Sequence, residues 1–508
     1  MSKVTGKVWL VGAGPGDPDL ITYRGRELLG QADVVLYDAL SHPDLLELCP
    51  QAEKVDVGKR YGQRATPQAE ITTLLLDLAR QGRSIVRLKG GDPLLFARGS
   101  EEALALSEAG VPFEIVPGVT SPVAASAYAG ISLTHRDASS SVTFITGSDR
   151  EGKEWSPEAW KKLATATGTI CVYMGMRRIH EICQAVMDGG RDQNTPAAVV
   201  QWGARPEQHT VVGTLHDIAE LAQRAGLESP AIIIIGEVVS LRDKLRWYDN
   251  RPLFGKRILV PRPAEQARAT AALIRQRGAR ALLYPAIEIH PLDDRTRLRR
   301  AVHEAKSYDW VIFTSQNGVR EFFGEVRDAG LDARVFGAAQ VAVIGPKTAE
   351  ALRSYGIVAD LCAERFVAES LLEGLRQASG PLSRVLIPRA QVARELLPEA
   401  LREQGVEVDV VVAYETKPVS GQAQVALREA IEQHAEVVLF TSSSMVEATV
   451  EALGPDAQRI LNARLIASIG PVTTATARKL GLSVVVEADV YTIDGVLSAL
   501  EAHFLAKR

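Results

Sequence analysis

Cysteine is scarce in this 508-residue chain. Cys49, Cys171, Cys183 and Cys362 are all it has, and no two of them make a CxxC pair. That excludes a disulfide framework and a thiolate metal site of ordinary spacing. The histidines give no HExxH or comparable ligand spacing, so no metal is expected. Long apolar runs are missing as well. The strongest, Ala231 to Ile235, is far too short to span a bilayer and reads as a buried strand. The opening residues Met1 to Lys7 lack the apolar core of a signal peptide, and together with the reduced cysteines this predicts a cytoplasmic protein. A net charge of −4 lacks the excess that would draw the chain to nucleic acid or to an anionic membrane. An anionic ligand would need a local basic cluster.

What is present is an alternation. Short β-branched runs such as Lys7–Val11, Ala32–Tyr37, Ser84–Leu88, Thr169–Tyr173 and Val437–Thr441 are each followed by Gly, Pro or Ser and an amphipathic stretch. This predicts an α/β fold with largely parallel sheets. The length implies two or more domains. The polar stretch Asp243–Lys256 interrupts the pattern and marks the main boundary. A softer one falls near Pro117-Gly118. The second half repeats itself: Arg257 to Arg262 reappears as Arg384 to Arg389, and Val311 to Ser315 as Val438 to Ser442, both 127 positions later. A duplicated α/β unit predicts two similar lobes facing a cleft.

In the first half, glycine-rich turns follow strands. Val11-Gly12-Ala13-Gly14-Pro15-Gly16-Asp17-Pro18 is neither GxGxxG nor a Walker loop. Its glycines would let a ligand approach the backbone. Arg87 to Pro93 pairs Gly90 and Gly91 with Asp92, a carboxylate suited to a ribose or amino group, or to capping the next helix. Val116 to Pro122, Leu133 to Asp137 and Val172 to Met176 are further compact turns.

Taken together, VGAGPGDPDLIT at Val11–Thr22, ADVVLYD at Ala32–Asp38, VGKR at Val57–Arg60, RLKGGDP, VPGVTS, AYAGI, LTHRD and YMG resemble the uroporphyrinogen-III C-methyltransferase family, over about residues 5–247. The resemblance implies two α/β domains with S-adenosyl-L-methionine (SAM) in the cleft between them. It implies that Pro15, Gly90, Gly91, Asp92, Leu95, Thr120, Ser121, Met174, Gly203 and Ala231 line that pocket. Asp38 then looks like the proton acceptor and Lys59 like the proton donor, Asp38 having a helix cap or a salt bridge as its structural alternative. The substrate carries eight carboxylates, and Arg24, Arg60, Arg64, Arg98 and Arg136 stand beside the motifs and can pair with them. Leu94, Leu95 and Ala97 depart from the common FIFG, Ser148 stands where many relatives have His, and Gly203-Ala204 replaces Gly-Thr. The family is typically a homodimer through this half.

The repeated half resembles uroporphyrinogen-III synthase over about residues 255–505, through LVPR, two FTS turns, two IGP-x-T turns and Ala413-Tyr414-Glu415-Thr416. This implies two lobes, 256–289 with 417–508 and 290–416, and a cyclisation that needs no cofactor. Ser315, Thr348, Tyr414 and Thr473 are the site residues it implies, Tyr414 assisting loss of a hydroxyl, with Arg262, Arg320 and Arg389 as carboxylate partners. Their structural alternatives are helix caps and core. Turns with free backbone N–H groups suit a polyanionic substrate. The domains expected are therefore a methylase at 1–245 (subdomains about 1–118 and 119–245), a linker at 246–255 and a synthase at 256–508. The activity expected is cyclisation of hydroxymethylbilane followed by SAM-dependent double methylation to precorrin-2. The alternatives are another methyltransferase of the same fold, and a non-catalytic tetrapyrrole-binding regulatory module in the second half.

Overall fold

The computed structural model describes residues 6–58, 66–147, 156–363, 368–378, 380–391 and 395–507. The chain forms two compact units: Met1–Arg257 with Ala272–Ala281 and Leu500–Arg508, and Ile258–Ala271 with Leu282–Ala499. Among the described residues no helix is long and apolar enough to cross a membrane.

The first unit holds two five-stranded sheets. One comprises β1 (Val8–Gly12), β2 (Val34–Tyr37), β3 (Glu53–Asp56), β4 (Ile85–Lys89) and β5 (Phe113–Val116), in the order β3-β2-β4-β1-β5 with every neighbour parallel. β1 is buried throughout because it is covered on both faces. Val8 and Leu10 point into one apolar cluster, and Trp9 and Val11 into the other. This is the period-two alternation of a strand.

The second sheet comprises β6 (Val142–Thr146), β7 (Thr169–Tyr173), β8 (Pro196–Gln201), β9 (His209–Thr214) and β10 (Ala231–Ile235), in the order β6-β7-β10-β8-β9. Here the expectation of largely parallel sheets fails. Only β6 and β7 run parallel; β10 is antiparallel to β7 and β8, and β8 to β9. The physical reason is connection length. Residues 202–208 join β8 to β9, which suffices for a hairpin but not for a helical crossover. The run Ala231–Ile235 is the buried central strand expected of it. The stretch read as a linker is packed: Tyr248 and Leu253 are buried, Tyr248 stands 4.8 Å from the Tyr128 ring, and Trp247 Nε1 donates to Ala127 O at 2.9 Å.

The second half contributes two more sheets. One contains β11 (Arg257–Val260), β12 (Arg280–Leu283), β19 (Val437–Phe440), β20 (Leu465–Ser468) and β21 (Val484–Glu487), in the order β12-β11-β19-β20-β21. The other contains β13 (Ile287–Pro291), β14 (Trp310–Phe313), β15 (Gln340–Val343), β16 (Leu361–Cys362), β17 (Arg384–Ala390) and β18 (Glu407–Pro418), in the order β13-β18-β17-β14-β15-β16. The sequence repeat is crossed over in space. β11 pairs in parallel with β19, which belongs to the second repeat, and β14 pairs in parallel with β17 rather than with β11. Each sheet therefore takes its opening strand from one repeat and its next strand from the other.

Phe313 is fully buried, with its ring 5.4 Å from that of Phe322 and 6.5 Å from that of Phe336. Phe313→Ala should lower the stability of its unit by about 3–5 kcal/mol. Calorimetry would register this as a downward shift of one transition, and a shift worth under about 1 kcal/mol would contradict the packing described.

Candidate functional site

Three turns leave the carboxyl ends of β1, β4 and β5 and meet backbone to backbone. Gly91 N donates to Gly14 O at 2.8 Å, and Gly14 N to Gly91 O at 3.3 Å. A Cβ on Gly12 would lie 2.6 Å from Gly118 Cα, and one on Gly118 would lie 2.3 Å from Gly91 O. A side chain at either position would drive the turns apart. These two glycines thus serve turn packing. Gly91, at φ +73°, keeps an open face: its nearest non-neighbour atom to a notional Cβ is Ser121 Oγ at 3.6 Å. Asp92 splints the arrangement, accepting from Leu94 N at 2.9 Å and from Gly118 N at 3.1 Å.

Beside these turns lies a cavity of about 690 Å³, within the size range of small-molecule sites. Pro15, Asp38, Gly90 and Gly91 line it from the first sheet's turns, and Leu95 follows them. Ser121 lines it from the helix Ser121–Tyr128, and Met174, Gly203 and Ala231 from the second sheet. Of the positions expected to line a SAM pocket, Asp92 and Thr120 stand behind the wall. Asp92 holds the turns, and the Thr120 hydroxyl shares a 2.5 Å hydrogen bond with the Tyr173 hydroxyl.

The sequence reading missed Leu40, Phe96, Tyr173, Trp202 and Arg205, all of which line the cavity. Phe96 (φ +56°), Met174 (φ +52°) and Trp202 (φ +49°) hold left-handed backbone, as do Arg98 and Ala204 nearby. Bulky residues rarely do so, and such strain concentrates at functional sites. No residue-type signal announces it, because propensity points the other way. Arg205 Nη2 donates to Leu40 O at 2.8 Å, and its guanidinium lies 4.9 Å from the centre of the Trp202 ring. Burial holds its pKa below the usual arginine value.

The basic residues expected for the substrate fall in different places. Lys59, Arg60 and Arg64 lie outside the described residues. Arg24 is outside the cavity lining and donates to Glu114 at 3.0 Å and to Glu27 at 3.3 Å. Arg98 is bound by Glu101 at 2.7 Å. Arg136 is exposed, in a turn closed by the pairing of His135 with Ser139.

In the second half, Ser315 caps the helix Gln316–Asp328, its Oγ accepting from Gly318 N at 3.0 Å. The same hydroxyl lies 3.0 Å from the hydroxyl of Tyr414. Cap and site residue are therefore compatible roles for Ser315. Tyr414 is largely buried in β18, where the register with β17 shifts between Arg389 and Ala390. Thr348 and Thr473 are buried in the first turns of the helices Pro346–Arg353 and Pro471–Lys479, which follow β15 and β20. Arg389 pairs with Glu395. Arg262 follows β11 half-buried, and Arg320 is exposed on the helix Gln316–Asp328.

A family profile described as tetrapyrrole (corrin/porphyrin) methylases matches residues 7–219, and one described as uroporphyrinogen-III synthase HemD matches residues 268–498. The porphyrin biosynthesis protein HemD of Ruminiclostridium josui is 38% identical over 496 residues, covering 97% of each chain. The siroheme synthase of Chromobacterium violaceum is 53% identical over 244 residues, and the chain spans about half (52%) of that protein's length. The uroporphyrin-III C-methyltransferase of Thermus thermophilus, solved with S-adenosyl homocysteine, is 41% identical, with 46% of this chain and 100% of that one covered at a TM-score of 0.41. The two profiles define a tetrapyrrole methylase segment followed by a uroporphyrinogen-III synthase segment. The chain belongs to the family that fuses a tetrapyrrole methylase to a uroporphyrinogen-III synthase, and it is a bifunctional protein of tetrapyrrole biosynthesis.

Hydrogen bonds from Arg24 and then Lys7 hold the Glu114 carboxyl down at about 2, below its ordinary 4.5. The resulting stabilisation is present above pH 4.5 and is lost as pH falls through about 2. Glu114→Gln should therefore be less stable than the parent protein near neutrality, by a small, salt-sensitive amount because the pair is exposed. Urea midpoints should show that difference shrinking as the pH is lowered; a difference independent of pH would contradict the pairing.

Proposed function

We propose that this chain cyclises hydroxymethylbilane to uroporphyrinogen III with inversion of ring D, and then methylates that product at C2 and C7 with SAM to give precorrin-2. The observation that carries the methylase reading is the cavity itself, where the open Gly90-Gly91 backbone, apolar walls and the Asp38 carboxylate share one lining. Leu95, Val200, Ala231 and Ile232 offer apolar surface to an adenosyl group, and Gly91, with no side chain, lets it approach the backbone. The residues present therefore fit the cofactor.

When bound, SAM supplies an electrophilic methyl group, leaving S-adenosylhomocysteine (SAH). The chain supplies the rest. The walls orient the reactants for an in-line displacement, and positioning carries most of the acceleration. The electron-rich pyrrole carbon attacks the methyl group and becomes quaternary, having no hydrogen of its own, and the Asp38 carboxylate accepts the proton that the cationic ring then loses from a neighbouring N–H or meso carbon. Lys59 is assigned the proton-donor role. Arg205, present in the lining, adds a cation for the substrate carboxylates.

For the cyclisation we assign Tyr414 to loss of the substrate hydroxyl, with Ser315 held against it at 3.0 Å. Folding a flexible polyanion into one shape makes binding the main task. We further assign the methylase to residues 1–245 and the synthase to 256–508, joined at 246–255, and infer a homodimer through the methylase half.

Purified protein given hydroxymethylbilane and SAM should accumulate precorrin-2. Without SAM it should yield uroporphyrinogen III. Accumulation of uroporphyrinogen I alone would refute the synthase assignment and leave the second half a regulatory module. Asp38→Asn and Lys59→Ala should lower the methylation kcat by roughly 10²–10⁴-fold, the usual worth of acid–base catalysis. Calorimetry should find SAH affinity within about two-fold of the parent, since neither residue is asked to bind the donor. Full methylation by both variants would overturn the acid–base assignment.

A further inference from the structure

Beneath the cavity lies a cluster of charged side chains that nothing in the reaction as described uses. Arg87, Lys89 and Glu102 are each no more than 2% exposed. Asp38 is the group through which the cluster reaches the cavity, with 28% of its side chain exposed. Arg87 Nη2 donates to Asp38 Oδ1 at 2.7 Å, and Arg87 Nε donates to Glu102 Oε1 at 3.2 Å. The same Glu102 oxygen accepts from Lys89 Nζ at 3.1 Å and from Gln68 Nε2 at 2.8 Å. The cluster ties together β4, the helix Gln68–Arg80 and the helix Gly99–Glu108. Asp38 itself comes from the end of β2, where its N–H donates to Leu88 O at 3.3 Å.

Burying these charges costs more than their mutual attraction readily returns. Apolar replacements of such groups are often neutral or stabilising. Glu102 Oε2 has no hydrogen-bond partner among the described residues, so the cluster is not optimised for stability. What it does achieve is geometric. Arg87 carries a planar fork of N–H donors. Fixed on one side by Glu102, it presents Nη2 to a single carboxylate oxygen and leaves Oδ2 of Asp38 for the cavity.

We propose that Arg87 and Glu102 are positioning residues for methyl transfer, orienting Asp38 so that one oxygen is bound and the other meets the proton released by the substrate. This rests on the assignment of Asp38 as proton acceptor. Lys89 and Gln68 act one step further out, holding Glu102.

The test uses the full chain, uroporphyrinogen III and SAM, with Glu102→Gln, Arg87→Lys, Asp38→Asn and the Arg87→Lys/Asp38→Asn double variant. Arg87→Lys keeps the charge but loses the planar fork. Glu102→Gln and Arg87→Lys should each lower kcat by about 10–100-fold, the scale on which a misplaced reacting group is felt. SAH affinity and the KM for uroporphyrinogen III should stay within about two-fold, which a general loosening of the fold would not permit. The double variant should be no slower than Asp38→Asn alone, because both changes disable one unit. Unchanged kcat in both positioning variants, with Asp38→Asn impaired, would overturn the proposal and leave the base assignment standing. Unimpaired Asp38→Asn would remove the base assignment itself. If Arg87→Lys fails to fold, Glu102→Gln carries the test alone. Loss of fold in both, or weakened SAH binding parallel to the loss of kcat, would assign the cluster to structure only and overturn the proposal.

Discussion

The contact of Gly12 with Gly118, and of Gly118 with Gly91, is the constraint on which the cavity of the first unit depends. Three turns from three parallel strands share one small volume, and their backbones come closer than any Cβ allows. From that contact the rest of the wall follows. Asp92 can reach across to Gly118 N, the Gly90-Gly91 backbone is left facing the cavity, and Ser121 begins its helix at the rim. The left-handed residues Phe96, Met174 and Trp202 are held in place around it. Strain of that kind persists only when its surroundings over-determine it, and a rigid group of turns is such a surrounding.

The chain separates what must be polar from what must be stable. The sheets of the first unit are apolar on both faces, yet β4 carries Arg87 and Lys89 within a fully buried strand. In an ordinary strand this would be a defect. Here the two cations meet Glu102 and Asp38 at the sheet's carboxyl end, where a parallel α/β sheet places its ligands. The second unit follows a different plan: Ser315 follows β14 and Tyr414 lies within β18, and the two hydroxyls meet across β17, which stands between those strands in one sheet.

Much of the fold was legible because apolar β-branched runs were long enough to announce themselves. The runs at β1, β2, β4, β7, β10 and β19 are strands where they were expected. Three strands that went unread, β3 (Glu53–Asp56), β9 (His209–Thr214) and β18 (Glu407–Pro418), lie at sheet edges or carry exposed polar residues, so their composition resembles a loop. The glycine turns were legible as turns, and they border the cavity, although the role of Gly12 and Gly118 was not legible, since it depends on what stands opposite. Arg205, Trp202 and Phe96 gave no sign, because neither their type nor their spacing marks a left-handed residue at a cavity.

By itself the sequence determined the α/β class, the doubling of the second half, and the order of the glycine-rich turns, because these depend on local period and residue type. Only the tertiary structure decided that the second sheet is mostly antiparallel, that each sheet of the second half mixes strands from the two repeats, and that Arg24 and Arg98 pair with carboxylates near them. Those outcomes depend on which distant segments come within a few ångströms of one another. Pairing across a sheet and pairing of charges are set by that proximity, which no window of neighbouring residues contains.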